Sequence, residues 1–274
     1  MNFWLNGNQA THCRNSFFCT AGLLLILFWT TSADAKTLRI AAAANLAGVS
    51  PQLAAAFNAE RVAAGQEAIT IDYSLAATGV ILTQTLHGAP FDLFFSADSI
   101  TVERLIAARV AVPQSRLVMA EGVLVLYAHA GENDRGRAMG EAELRAGKFN
   151  HLALANPATA PFGRAGREVL ERLGLFDAFQ PKLVYGNSVA QAYEFVQSGN
   201  AELGFVALST VLDGRRARGK DQGSYWSVPR HLYSPLPQVA VMIGRTANPT
   251  DALAYLKFLA GPTARRLFIE YGYR

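Results

Sequence analysis

The sequence predicts an α/β protein of two similar-sized lobes with a ligand cleft between them. Three observations carry this. Short apolar runs alternate with amphipathic helical stretches, the signature of a mostly parallel sheet. That alternation occurs twice, before residue 108 and again after residue 150. Two further strand-like stretches, near 118–122 and 230–238, join the two sets, so the chain is read as residues 36–118 plus 236–274 for one lobe and 119–235 for the other.

The first 35 residues read as an export signal. The apolar run Phe17 to Trp29 is 13 residues long, interrupted by Thr20. It is too short for a bilayer core of ~30 Å, and Ala33-Asp-Ala35 follows as a small-residue cleavage pattern. Cys13 and Cys19 both lie upstream of that cut. The exported chain therefore has no disulfide, no thiolate zinc ligand and no thiol nucleophile. Its expected location is the periplasm.

With 51% hydrophobic and 17% charged residues the chain can bury a proper core. The net charge of +4 is scattered, and Arg215-Arg216-Ala-Arg218-Gly-Lys220 is the one dense basic cluster. It is read as a solvated loop, since a nucleic-acid surface needs a stripe of cations with interleaved aromatics.

In chain order, Arg39 to Ala44 is a buried strand of small residues that ends at the polar Asn45. Val49, Leu53 and Phe57 then mark a helix. Residues 68–74 alternate as a second strand that ends before Thr78-Gly79, with a helix to His87. Phe91 to Asp98 is a third strand and Ile100 to Ala108 its helix. After the apolar strand 122–127 and a polar segment from Ala130 to Gly147, the second set begins. Strand 152–155 leads through Phe162-Gly163 to a helix over 164–173. Strand 183–185 leads through Ser188-Val189 to a helix over 189–197, and strand 203–208 follows. Gly/Arg-rich loops, strand 238–243, helix 250–259 and a short segment 262–271 close the chain.

Four turns, at Asn45, Thr78, Phe162 and Val189, fall where a strand gives way to a helix. The first N–H groups of a helix lack internal partners and carry roughly half a positive charge. Asn45 and Thr78 add side-chain donors. Ligands of α/β sheets bind outside the carboxyl ends of the strands, which here is the cleft. The four turns thus form a candidate anion site built from neutral hydrogen-bond donors. Taken singly, each is also an ordinary helix cap.

At these residues the chain resembles the periplasmic molybdate-binding proteins of ABC importers. The resemblance spans nearly all of residues 37–274. It rests on Ala41-Ala-Ala-Ala-Asn-Leu46, Ala77-Thr-Gly79 with Gln84, Gly88-Ala-Pro-Phe-Asp-Leu-Phe-Phe-Ser-Ala-Asp98, Asn156-Pro-Ala-Thr-Ala-Pro-Phe-Gly163, Gly199 to Ser209 and Leu259-Ala-Gly-Pro262. It implies a type II periplasmic binding fold, a molybdate or tungstate ligand in the inter-lobe cleft and a membrane permease as partner. It also implies ligand contacts at Asn45, Thr78, Phe162 and Val189, the last two through main-chain N–H groups. No cofactor, free metal cation or nucleic-acid partner is expected, and the protein is read as a monomer. Where family branches place a tyrosine hydroxyl, this chain has Ala207 in one case and Phe162 in the other.

Two alternatives stand beside this. One is a receptor for another anion such as sulfate, phosphate or an organic anion, the last favoured if Arg164 or Arg167 enters the cleft; both are read as lying on an exposed helix face. The other is a periplasmic enzyme using Asp92 and Asp98 as a carboxylate pair. No HExxH, nucleophile-elbow or phosphate-loop motif supports catalysis.

Overall fold

Small, β-branched and aromatic side chains dominate the strands of this chain, and in both lobes they build the same kind of sheet. A computed structural model describes residues 37–129, 139–218 and 223–274. The signal segment with Cys13, Cys19 and the cut at Ala35 lies outside the described residues, as do residues 130–138 and Lys220.

The first sheet opens with β1 (Thr37–Ala43), α1 (Ser50–Ala63), β2 (Thr70–Ala76), α2 (Thr78–Leu86), β3 (Leu93–Ser96) and α3 (Ser99–Ala107). Strand β4 (Leu117–Glu121) follows. The second sheet takes β5 (Leu124–His129), α4 (Glu141–Ala146), β6 (Leu152–Ala155), α5 (Pro161–Arg172), α6 (Phe176–Phe179), β7 (Leu183–Gly186), α7 (Val189–Gln197) and β8 (Leu203–Ala207). It ends with α8 (Leu208–Arg218) and β9 (Gly223–Ser227). The chain then returns through β10 (Pro237–Met242), α9 (Pro249–Leu259) and α10 (Pro262–Glu270).

The strand orders are β2-β1-β3-β10-β4 and β7-β6-β8-β5-β9. In each sheet three strands run parallel and the fourth pairs antiparallel, β10 against β3 and β5 against β8. The two sheets are therefore topological copies. The turns after β1 and β2 in one match those after β6 and β7 in the other. Chain crossings lie at 122–123 and between Ser227 and Pro237, so β4 belongs wholly to the first sheet.

From Ile40 onward strand β1 is covered on both faces, which is why that part reads as an unbroken apolar run. Leu38, Ile40 and Ala42 face Leu53 and Phe57 of α1, whereas Ala41 faces Ile81 and Val102. Ile40 and Leu93 are wholly buried, each contributing about 1.5–3 kcal/mol.

Two stretches differ from expectation. The polar segment up to Gly147 contains α4, closed by Gly147 at φ 62°. The Gly/Arg-rich stretch expected as loops includes α8 and β9, and within the basic cluster Arg215 and Arg216 are packed against rings. Arg215 lies over the Tyr225 ring at 4.9 Å and Arg216 over Tyr271 at 3.9 Å. Gly214 is tolerated inside α8 because a Cβ there would meet the Tyr193 hydroxyl at 2.1 Å. Tertiary packing overrides glycine's poor helix propensity.

Candidate functional site

The carboxyl ends of both sheets open on one small cavity. It is lined by Ala43, Ala44 and Asn45 after β1, Ala77 and Thr78 after β2, and Ala97 after β3. The second sheet contributes Ala160, Pro161 and Phe162 after β6 and Val189 after β7. All four candidate residues are therefore brought together, two from each sheet. Each is buried, with Thr78 only 1% exposed. The cavity volume is about 10 Å³, room for about one water-sized sphere. That is far below the ~300–1,000 Å³ of pockets for organic ligands.

Thr78 is the first residue of α2 and Val189 the first of α7; Phe162 follows Pro161 at the start of α5. Their N–H groups have no acceptor within their own helices. Pro161 suits its place because the first helical N–H needs no partner. Thr78 Oγ1 accepts from the Ala97 N–H at 3.3 Å, which leaves the hydroxyl proton to donate elsewhere.

Asn45 behaves differently from the sequence expectation. Its Nδ2 donates to Gln238 Oε1 at 2.8 Å and to the Tyr273 hydroxyl at 3.1 Å, so both amide protons are used inside the protein. The Asn45 carbonyl accepts from Tyr273 at 2.6 Å and from Ser209 at 3.0 Å. What Asn45 offers the cavity is its main chain, held still by three side chains distant in sequence. Gln238, Tyr273 and Ser209 were not singled out from the sequence. Gln238 was the findable one, a polar residue heading the apolar run Val239 to Ile243. Burial raises the Tyr273 phenol well above its ordinary range, partly offset by its bonds to Ser209 and Asn45.

No cationic or anionic side chain lines the cavity among the described residues. Arg164 is not on a free helix face. Its guanidinium pairs with Asp98, which belongs to the first sheet. Arg167 does face outward, bonded to Glu171 at 2.7 Å and stacked on Phe176. The Asp92–Asp98 pair is not formed, since the two flank β3 at opposite ends. Asp92 accepts from the Arg39 N–H at 2.8 Å and from Thr246 at 2.5 Å. Asp98 caps α3 by accepting from the Thr101 N–H at 2.8 Å. Both carboxylates are structural.

Ala207 ends β8 opposite Leu124 and does not line the cavity. The Phe162 ring turns its tip toward the first crossing, where a Cβ on Gly122 would lie 2.8 Å from its Cζ. The described residues contain no group of three His, Cys, Asp or Glu placed to hold a metal ion.

This geometry has close counterparts. Residues 38–274 match the family model described as bacterial extracellular solute-binding protein. The molybdate-binding protein ModA of Azotobacter vinelandii is 40% identical over 255 residues, covering 92% of this chain and 94% of that protein. The molybdate-binding protein ModA of Rhodobacter capsulatus is 40% identical over 204 residues, 74% of this chain and 77% of that one. The solved structure of the A. vinelandii periplasmic molybdate-binding protein superposes with a TM-score of 0.77 at 34% identity, over 86% of this chain and 98% of that one.

Proposed function

From the premise that this chain belongs to the bacterial extracellular solute-binding proteins, as a relative of the periplasmic molybdate-binding proteins, we infer that it captures molybdate or tungstate outside the cytoplasm and delivers it to an ABC importer. It is a binding protein and not an enzyme. The observation that carries the ligand reading is the small cavity on which four strand-to-helix turns converge, two from each sheet, with no charged side chain in its wall.

The donors proposed to hold the anion are the main-chain N–H groups at Asn45, Thr78, Phe162 and Val189 together with the Thr78 hydroxyl. Hydrogen bonds to a charged group contribute about 1.5–3 kcal/mol each. Several together offset the cost of taking a dianion out of water. A wall of donors also selects. Phosphate keeps a proton at neutral pH, and a donor-only wall leaves that hydroxyl without an acceptor. Sulfate is smaller than molybdate, so the spacing of the donors in the ligand-bound form decides between them. Molybdate and tungstate are nearly the same size, so both are accepted.

We propose further that the two sheets with their helices, residues 37–121 with 237–274 and residues 124–227, move as two lobes about the crossings, closing on the ion as hinge-bending receptors do. Residues 1–35 would direct export and be removed. A monomeric receptor that meets its membrane permease in the ligand-loaded form completes the reading.

The test is calorimetric titration of residues 36–274 with molybdate, tungstate, sulfate and phosphate in turn. Tight one-to-one binding of the first two and no heat from the others is expected. Binding of phosphate with silence from molybdate would overturn the ligand assignment.

A further inference from the structure

We propose that Asp98 and Arg164 form a latch across the mouth of the cavity, setting affinity and residence time for the oxyanion although neither side chain touches it. The proposal rests on the receptor reading above and adds two affinity-determining residues outside the ligand shell. Asp98 follows Ala97, a wall residue of the first sheet, and Arg164 lies two residues after Phe162, a wall residue of the second. One oxygen of Asp98 is occupied within its own lobe by the Thr101 N–H at 2.8 Å and the Ser96 hydroxyl at 3.3 Å. The other accepts from Arg164 Nη2, which reaches over from α5. The Asp98 side chain is 8% exposed and that of Arg164 38%, so the pair is half-shielded from solvent. Breaking a surface ion pair costs little, whereas removing one partner of a pair with a buried member leaves a shielded charge unpaired and costs more.

A second bond spans the same gap, where the Gly79 N–H donates to the Thr159 carbonyl at 2.8 Å. Both contacts join the two sheets, so both exist only when the lobes meet. An anion gripped from both sides binds the shut form, and its apparent dissociation constant rises as the shut fraction falls. The latch raises that fraction. It also holds the Arg164 guanidinium on a carboxylate, leaving the anion to neutral donors.

The experiment compares wild type, Asp98→Asn, Arg164→Gln and the double variant in residues 36–274. Asparagine caps a helix as well as aspartate does, so Asp98→Asn keeps α3 intact. Each single variant is expected to raise the molybdate dissociation constant about tenfold. The rise should lie in the dissociation rate, read by stopped-flow displacement with tungstate. The double variant should be no worse than the weaker single, because both remove one interaction. Single effects within twofold, or effects that multiply in the double variant, would overturn the latch. Small-angle scattering of the ligand-free proteins gives a readout independent of ligand identity. The double variant should populate a more open form than wild type, and identical profiles count against the proposal. Failure of wild type to bind any oxyanion would instead remove the receptor reading.

Discussion

Asn45 donates from its side chain to Gln238 at 2.8 Å, joining the turn after β1 to the strand on which the chain returns from the second sheet. Gln238 Nε2 donates to the Leu236 carbonyl at 2.9 Å, and the same carbonyl accepts from the Gly122 N–H at 2.8 Å. The turn and both chain crossings thus share one run of hydrogen bonds, all of it buried. In the two-lobe reading, a shift of the crossings would reach the turn through these bonds.

Tyr273 is the other support of that turn, and its removal has a pH signature. Tyr273→Phe deletes a buried hydroxyl that both donates to and accepts from Asn45. A loss of about 1–3 kcal/mol in urea denaturation is expected, with weaker oxyanion binding as the turn loosens. Burial raises this phenol, as it raises those of Tyr73 and Tyr255. Below pH ~10 folded and unfolded chains are both protonated at these tyrosines, and their contribution is fully present. Above that pH the unfolded chain binds fewer protons than the folded one, so stability falls as pH rises. Tyr273 steepens this fall by up to about 1.4 kcal/mol per pH unit. The phenylalanine variant should show a shallower alkaline decline; an unchanged slope would exclude Tyr273 as a source.

Thr78 separates the wall from its support. Thr78→Val keeps the volume but removes the hydroxyl and leaves the Ala97 N–H without its 3.3 Å acceptor. Binding of molybdate should weaken by roughly 1–3 kcal/mol, whereas Thr78→Ser should stay close to wild type in calorimetry. A loss in Thr78→Ser with none in Thr78→Val would mean that the methyl group, not the hydroxyl, matters.

Fold and site were legible to different depths. The doubled α/β pattern and the four turns follow from local signals, namely apolar runs that end in Asn45, Thr78, Phe162 and Val189. What the sequence did not disclose depends on distant partners. Asn45 reads as a donor to ligand until Gln238 and Tyr273, 193 and 228 positions away, claim its amide. Arg164 reads as a solvated helix residue until Asp98 arrives from the other sheet. Helix α8 was masked by Gly214, whose cost is set by the Tyr193 hydroxyl packed against it. Periodicity reports burial and not which polar group meets which.

Gly79 tests closure from the backbone side. It lies in the first turn of α2, where alanine is favoured over glycine by about 0.5–1 kcal/mol. Yet a Cβ at this position would come within 3.0 Å of the Thr159 Cα and carbonyl oxygen, main-chain atoms of the opposite lobe. Thr159 cannot retreat easily, because the turn before α5 is tied by Thr159 and Ala160 N–H bonds to the Asn156 carbonyl at 3.1 and 2.9 Å. Relief must come from opening the lobes. Gly79→Ala should therefore leave the ligand-free melting temperature equal or higher while weakening molybdate binding by about 1–3 kcal/mol, the usual cost of overpacking. The opposite signs matter more than either size. A variant that loses both stability and affinity would mean strain absorbed inside the first lobe. One that gains stability at unchanged affinity would mean that the shut form does not need the contact between Gly79 and Thr159.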